Sequence, residues 1–369
     1  MFFFERLIGI GCYTLVLLFV LLLLRGTNIK TSKILFFYLV GLALMALYYK
    51  PYKTADLYRI FEIVRYYGRQ SWKTFFENTV KGSLSPTADI MYWVFGRLQI
   101  AHLLPVFSCV TCYSVIFYVI ADCSERFHLQ RKNTTLLLFF VMASGFYIPV
   151  IGGIRMMMSL CILLFCFYRT YILKKVTLIH IVLYLLALTI HAMAVAVIAV
   201  ALFSLVFGKI TKVRYKILLL LFLIAAAFEL NRFVDLTQLL EEKASFYLYE
   251  DTYFDIWEFI IGLISVFFEL ILLLRVRKGS IRLRFFEMMT VFCVLIAAVF
   301  ITRFSIFHRF CVETALLMAL PLAAVSVSPD ASDTPNSFFR QWFAVWSLLL
   351  LIANAGRGTL SGLKFFELP

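Results

Sequence analysis

The sequence predicts an all-α fold: a polytopic integral membrane bundle of about twelve transmembrane helices, with two amphipathic surface helices in an external loop. Three observations predict it. Of the 369 residues 63% are apolar, against roughly 45–50% in soluble domains, and only 15% are charged, where about a quarter is usual. Mean hydropathy is +0.93, too high for a soluble protein, because a folded domain of this size still shows much of its surface to water. The basic residues gather in short connections between apolar runs, as positive-inside topology requires. A soluble enzyme, a disordered chain, a coiled coil and a secreted disulfide scaffold are thereby excluded.

The apolar runs long enough to cross, or nearly so, are 7–24, 34–49, 102–121, 134–150, 154–172, 215–230, 256–274, 285–301, 306–326 and 339–354. The stretch 177–207 is too long for one span of roughly 20 residues, and His191 near its middle divides it into 177–190 and 192–207. The run 7–24 has no small-residue cleavage site after it and is followed by Arg25, Lys30 and Lys33, so it reads as an orienting first helix.

If 25–33 is cytoplasmic and 50–101 lies wholly outside, every basic cluster falls on one face. These clusters are Arg25/Lys30/Lys33, Arg126/Arg131/Lys132, Arg169/Lys174/Lys175, Lys209/Lys212/Arg214/Lys216 and Arg275/Arg277/Lys278/Arg282/Arg284. The acidic loop 235–255 falls on the other face. A full span at 86–100 would reverse everything after it and is rejected. The net charge of +14 is mostly positive-inside topology, and no nucleic-acid partner is needed.

Within 50–101, Leu57, Ile60, Phe61 and Val64 recur at the spacing of one helix face, with Asp56, Arg59, Glu62, Arg65 and Arg69 on the rest. Ser85-Pro86 reads as an N-cap with Pro at the first helical position, opening a second segment with Ile90, Met91, Val94 and Leu98 apolar and Asp89 and Arg97 polar. Two amphipathic helices on the outer leaflet follow, with Gly82 and Ser83 in the turn between them. The polar stretch 326–337 reads as a cytoplasmic connector, and 1–369 as a single integral membrane domain. The eight Cys lie mostly within apolar runs. Cys109-Val-Thr-Cys112 has redox-motif spacing but sits in a span with no βαβ pattern, so it reads as small buried side chains. Neither metal, cofactor nor disulfide is indicated.

The informative residues are ionisable groups at the outer half of the membrane, where a charge costs enough to demand a reason. Arg155 follows Pro149-Val-Ile-Gly152-Gly153-Ile and starts an otherwise apolar span on the positive-poor side. His191 ends a long apolar run, and Arg303, His308 and Arg309 form a compact basic group between two spans. Asp56 and Arg59 form an i, i+3 pair on the first surface helix. His102, His128 and His180 read as structural. No HExxH, GxSxG or Walker loop is present. The inventory is an outward-facing site of three arginines, a histidine and a carboxylate. Arginine forks bind diphosphate and stabilise it as a leaving group, and a carboxylate or histidine can take a proton from an attacking hydroxyl.

At these residues the sequence resembles the EpsG-like family of bacterial polysaccharide polymerases, the Wzy-type enzymes. The resemblance lies in ordered segments: Asp56-Leu-Tyr-Arg59 after the second span, Asp89-Ile-Met-Tyr92, Ile154-Arg155 after a Pro and Gly turn, Ala187-Leu-Thr-Ile-His191-Ala, and Arg309-Phe310 entering a late span. Met156 stands where the family often has Gln, and Phe310 where Tyr is common. The resemblance covers about residues 34–326. It implies a membrane glycosyltransferase with a type C-like architecture at the outer face of the inner membrane. The implied reaction transfers a chain from its undecaprenyl diphosphate to a hydroxyl of a new lipid-linked unit. A chain-length regulator would be a protein partner. Arg155, Arg303 and Arg309 are then candidates for the diphosphate, with His308 beside them. Asp56 or His191 is the candidate base, and Arg59 and Asp89 support sugar or base. Two rival classes are a membrane acyltransferase, disfavoured because 1–101 contains no His, and a transporter, which would place polar groups at mid-membrane depth rather than at one face.

Overall fold

The structure is a computed structural model, and it describes residues 2–27, 29–51, 56–210, 256–276, 283–301, 304–328 and 336–356. The expected span 215–230, the acidic loop 235–255, the basic residues at 277–282 and Arg303 lie outside the described residues. All regular structure among the described residues is helical. In chain order these are α1 (Phe2–Gly26), α2 (Thr31–Leu47), α3 (Asp56–Gly68), the short α4 (Trp72–Phe75) continued by a π-helical turn Phe76–Val80, and α5 (Pro86–Arg97). Then come α6 (Leu104–Arg126), α7 (Arg131–Ala143), α8 (Tyr147–Gly152), α9 (Ile154–Phe167), α10 (Leu178–Ile190) and α11 (Met193–Lys209). After them stand α12 (Ile256–Val276), α13 (Arg284–Val299), α14 (Phe304–His308), a π-helical turn Arg309–Ala315, α15 (Leu316–Met318), α16 (Leu320–Ser326) and α17 (Asn336–Gly356).

Three described helical stretches are long and apolar enough to cross a membrane: Ala101–Arg126, Ile154–Ile172 and Ile256–Val276. Ile306–Met318 with Leu320–Ser326 adds a fourth if this pair, bent by 51°, counts as one span. Shorter apolar helices lie at Gly11–Gly26, Thr31–Leu47, Leu178–Ile190, Met193–Lys209 and Phe338–Asn354. The architecture is that of a helical membrane protein. Within the chain-long domain read from the sequence, packing groups the residues into two compact units, Met1–Ala196 with Val327–Pro369, and Val197–Ser326.

In the first unit α6 forms the centre, packed by α2, α8 and α9, while α7 lies between α1 and α17. The run 134–150 is not one helix. The chain turns after Ala143, and Gly145 adopts φ +73, a conformation that favours glycine. A Cβ there would lie 2.6 Å from Asn354 Oδ1, and Asn354 Nδ2 donates to the Ala143 carbonyl at 3.0 Å. The turn is therefore fixed by a residue of α17.

The two ends of this unit differ. Arg131 donates to the Ile29 carbonyl at 3.3 Å, and Tyr168 donates to Asp122, whose carboxylate also accepts from Arg126 Nε at 3.0 Å. The basic connections after α1, α6 and α9 thus share one end. At the other end α3 rests on α8 and α5 on α10. The α3–α5 crossing depends on two glycines: a Cβ on Gly96 would sit 2.0 Å from the Val64 carbonyl oxygen, and one on Gly68 would sit 2.3 Å from Gly96 C. Backbone meets backbone, and an aromatic cluster of Tyr67, Trp72, Phe75 and Trp93 closes one flank.

As the spacing predicts, Leu57, Ile60 and Val64 are buried while Asp56, Arg59, Glu62, Arg65 and Arg69 are exposed. The second surface helix departs from expectation. α5 buries Ala88, Asp89 and Tyr92 and exposes the apolar Val94 and Leu98. Its polar edge faces the bundle because the bundle offers polar partners there: Thr87 donates to Thr189 of α10 at 2.8 Å.

In the second unit α12 and α13 pack against the π-helical turn Arg309–Ala315 and against each other. Gly262 of α12 admits the Phe307 ring, which a Cβ would meet at 2.2 Å.

Candidate functional site

The end of the first unit that carries α3 and α5 brings three of the expected residues, Asp56, Asp89 and Arg155, around two tyrosines. Asp89 is 7% exposed in the first turn of α5 and accepts a hydrogen bond from the Ser83 hydroxyl, while Ser83 Oγ accepts the Ser85 backbone N–H at 2.9 Å. The helix does begin at Pro86, but the Ser85 side chain makes no cap bond. Ser83, two residues earlier, orients the carboxylate instead.

Arg155 occupies the first turn of α9, half-buried, with its guanidinium carbon 5.9 Å from the centroid of the Tyr92 ring. That distance is within cation–π range. Tyr92 is 1% exposed, and its hydroxyl has no hydrogen-bond partner among the described residues. Burial holds the Tyr92 hydroxyl well above its ordinary range. Arg155 pulls it back down, and Asp89, Tyr67 and Asp56 push it up. Tyr67 is raised by burial and by Asp89 and lowered by Arg155. Arg155 and Asp89 therefore act with opposite sign on the same pair of phenols. The glycines before Arg155 do not serve a tight crossing: a Cβ on Gly152 would meet nothing within 4 Å, and one on Gly153 only Pro149 O at 3.0 Å. The space beside Gly152 is open.

His191 breaks the apolar stretch as expected. α10 stops at Ile190, His191 is extended at φ −155 and ψ 136, and α11 starts at Met193. Its Nδ1 accepts the Met193 backbone N–H at 3.1 Å, which puts the proton of the neutral ring on Nε2. Thr189, two residues before it, is the residue that bonds Thr87 of α5. Asp56 and Arg59 are exposed on α3, and the charge of Asp56 reaches the Tyr92 hydroxyl.

His308 and Arg309 lie in the second unit, where α14 gives way to the π-helical turn. His308 Nδ1 is 3.9 Å from Glu313 Oε1, and Arg309 also acts on that carboxyl. The sequence reading passes over Glu313, since residues five apart do not share an α-helix face; an i→i+5 turn stacks them. It also passes over Glu269. This residue is 0% exposed in α12, with neither carboxyl oxygen hydrogen-bonded among the described residues. The expectation that polar groups keep to one face does not extend to Glu269. Of the other histidines, His180 is structural: its Nδ1 accepts the Thr177 N–H at 3.0 Å in a capping box. Cys109 and Cys112 are fully buried.

Comparison of the chain with protein-family models, with curated proteins and with solved structures gives no match.

Proposed function

We propose that this chain is a membrane glycosyltransferase that joins polyprenyl-diphosphate-linked oligosaccharide repeat units, a surface-polysaccharide polymerase at the outer face of the bacterial inner membrane. The observation that carries the reading is Arg155, set with Asp89 and Tyr92 in a helix-covered end of the bundle, opposite the basic connections. Positive-inside topology makes the basic end cytoplasmic, which turns the Arg155 end outward.

In this reading the acceptor hydroxyl oxygen attacks the anomeric carbon of the lipid-linked chain. The bond from that carbon to the diphosphate oxygen breaks as the new glycosidic bond forms. Asp56, exposed at the start of α3, takes the hydroxyl proton. The Arg155 fork meets the negative charge of the departing diphosphate. His191, with its proton on Nε2, serves as a hydrogen-bond donor to phosphate or sugar rather than as the base. Arg59 and Asp89 orient sugar hydroxyls. Arg303 and Arg309, with His308, are further candidates for the diphosphate.

The test is deletion of the gene followed by a polysaccharide ladder on a gel. Loss of all bands above one repeat unit supports polymerisation. Glu269 favours a second reading, since transporters carry polar groups at depth. Loss of every band, the first included, would turn the assignment to flipping or assembly.

A further inference from the structure

We propose that Glu269 and the threonine hydroxyls that flank it form a buried site for one monovalent cation, a proton or Na+, inside the second unit. Glu269 is fully buried, and both its carboxyl oxygens lack a hydrogen-bond partner among the described residues. Thr290 of α13 and Thr314 of the π-helical turn are fully buried too, and each has an unpartnered hydroxyl oxygen among the described residues. A carboxylate taken from water into an apolar interior is held only if something neutralises it.

Glu269 precedes the end of α12 at Val276 by about two turns, and Thr290 follows the start of α13 at Arg284 by nearly the same length. α12 and α13 pack on one another, and both pack on the π-helical turn. The electrostatics place the Glu269 carboxyl near these same packed elements. Its charge bears on Cys293, one turn along α13 from Thr290, and on Cys311, one turn before Thr314. Of the titratable groups on the packed elements, Cys293 of α13 and Cys311 of the π-helical turn feel the Glu269 charge; α13 also carries Arg284 and Glu287, α14 carries His308, the turn carries Arg309 and Glu313, and α15 and α16 carry none.

The donor set selects the ligand class. No group of three His, Cys, Asp or Glu side chains capable of holding a metal ion occurs among the described residues. One carboxylate with hydroxyl oxygens suits a single positive charge with a preference for oxygen. The site borders a π-helical turn and a helix bent by 51°, and such interruptions are where membrane helices present backbone carbonyls to ions.

The test uses the full chain in lipid nanodiscs, treated with dicyclohexylcarbodiimide, which modifies protonated carboxyls in apolar surroundings, and read by peptide mass spectrometry at Glu269. Labelling is compared in Na+ and choline buffers at mildly acidic and mildly alkaline pH. A several-fold loss of adduct in Na+ relative to choline identifies Na+ as the ligand. A several-fold loss at alkaline pH in both buffers alike identifies an exchanging proton. The double variant Thr290→Val with Thr314→Val should weaken whichever dependence the wild type shows. Labelling that ignores both cation and pH, a Glu269 never modified in the folded protein, or a double variant that behaves as wild type would overturn the proposal.

Discussion

The charged groups of the two units are handled in opposite ways. In the first unit Arg155, Asp89 and Asp56 lie at one end of the bundle, tied to phenols and a serine hydroxyl, with open space beside Gly152. In the second, Glu269 lies in the middle of a 21-residue apolar helix with no hydrogen-bond partner among the described residues. A charge at an end can be held partly by neighbours and partly by a ligand that arrives and leaves. One in the interior needs a permanent or exchangeable counter-charge. Under the two proposals made above, the comparison sets a site for chemistry on a substrate against one for an ion.

The largest effect that would break this comparison is at the α3–α5 crossing. Gly96→Val puts side-chain atoms into the Val64 backbone, so the surface helices should lose their packing and polymer should vanish. Protease sensitivity within 56–97, read beside the product ladder, checks this. Gly82→Ala, where a Cβ meets nothing within 4 Å, should be silent in both assays.

Next is the choice of base. Asp56→Asn should lower turnover by about a hundredfold or more, the usual worth of a general base. His191→Gln keeps a side-chain donor and acceptor and should lose far less. Initial rates with purified lipid-linked substrate decide it, and the reverse order would return the base to His191.

Much of this site is legible in the sequence, for reasons that local physics supplies. Pro86 starts its helix because its ring fits the first turn, and His191 stands where an apolar stretch exceeds one span. The alternation that buries Leu57, Ile60 and Val64 fixes the outward side of α3. What is hidden depends on partners distant in sequence or on a change of helical period. Gly145 turns because of Asn354, more than two hundred residues away, so 134–150 reads as one span and folds as two helices. Ser83 displaces Ser85 because it can reach both the Ser85 N–H and Asp89. Glu313 joins His308 only through a π-helical turn. Glu269 escapes notice because one carboxyl scarcely lowers the hydropathy of α12, although its cost is paid in full.

Smaller effects sharpen the account of the first unit. Tyr92→Phe keeps the ring under Arg155 and removes only a hydroxyl without a described partner, so activity should fall by no more than a few-fold. Tyr92→Leu removes the ring and with it about 1 kcal/mol of cation–π attraction, so it should fall further. Relative rates of the two variants test whether the ring or the hydroxyl matters. Ser83→Ala should be the mildest, costing about 1 kcal/mol for a lost hydrogen bond. A shift in the thermal unfolding of the detergent-solubilised protein, with little change in product length, is its expected signature.

The most direct measurement concerns Arg155. Purified wild type, Arg155→Lys and Arg155→Ala are given a lipid-diphosphate donor and acceptor, and chain length is read on a gel. Arg155→Lys keeps the charge and loses the planar fork, so it should make short products at a rate well below wild type. Arg155→Ala should insert normally and make none. Full-length chains from both variants would mean that Arg155 only packs against Tyr92, and the proposed diphosphate site at this end of the first unit would be wrong.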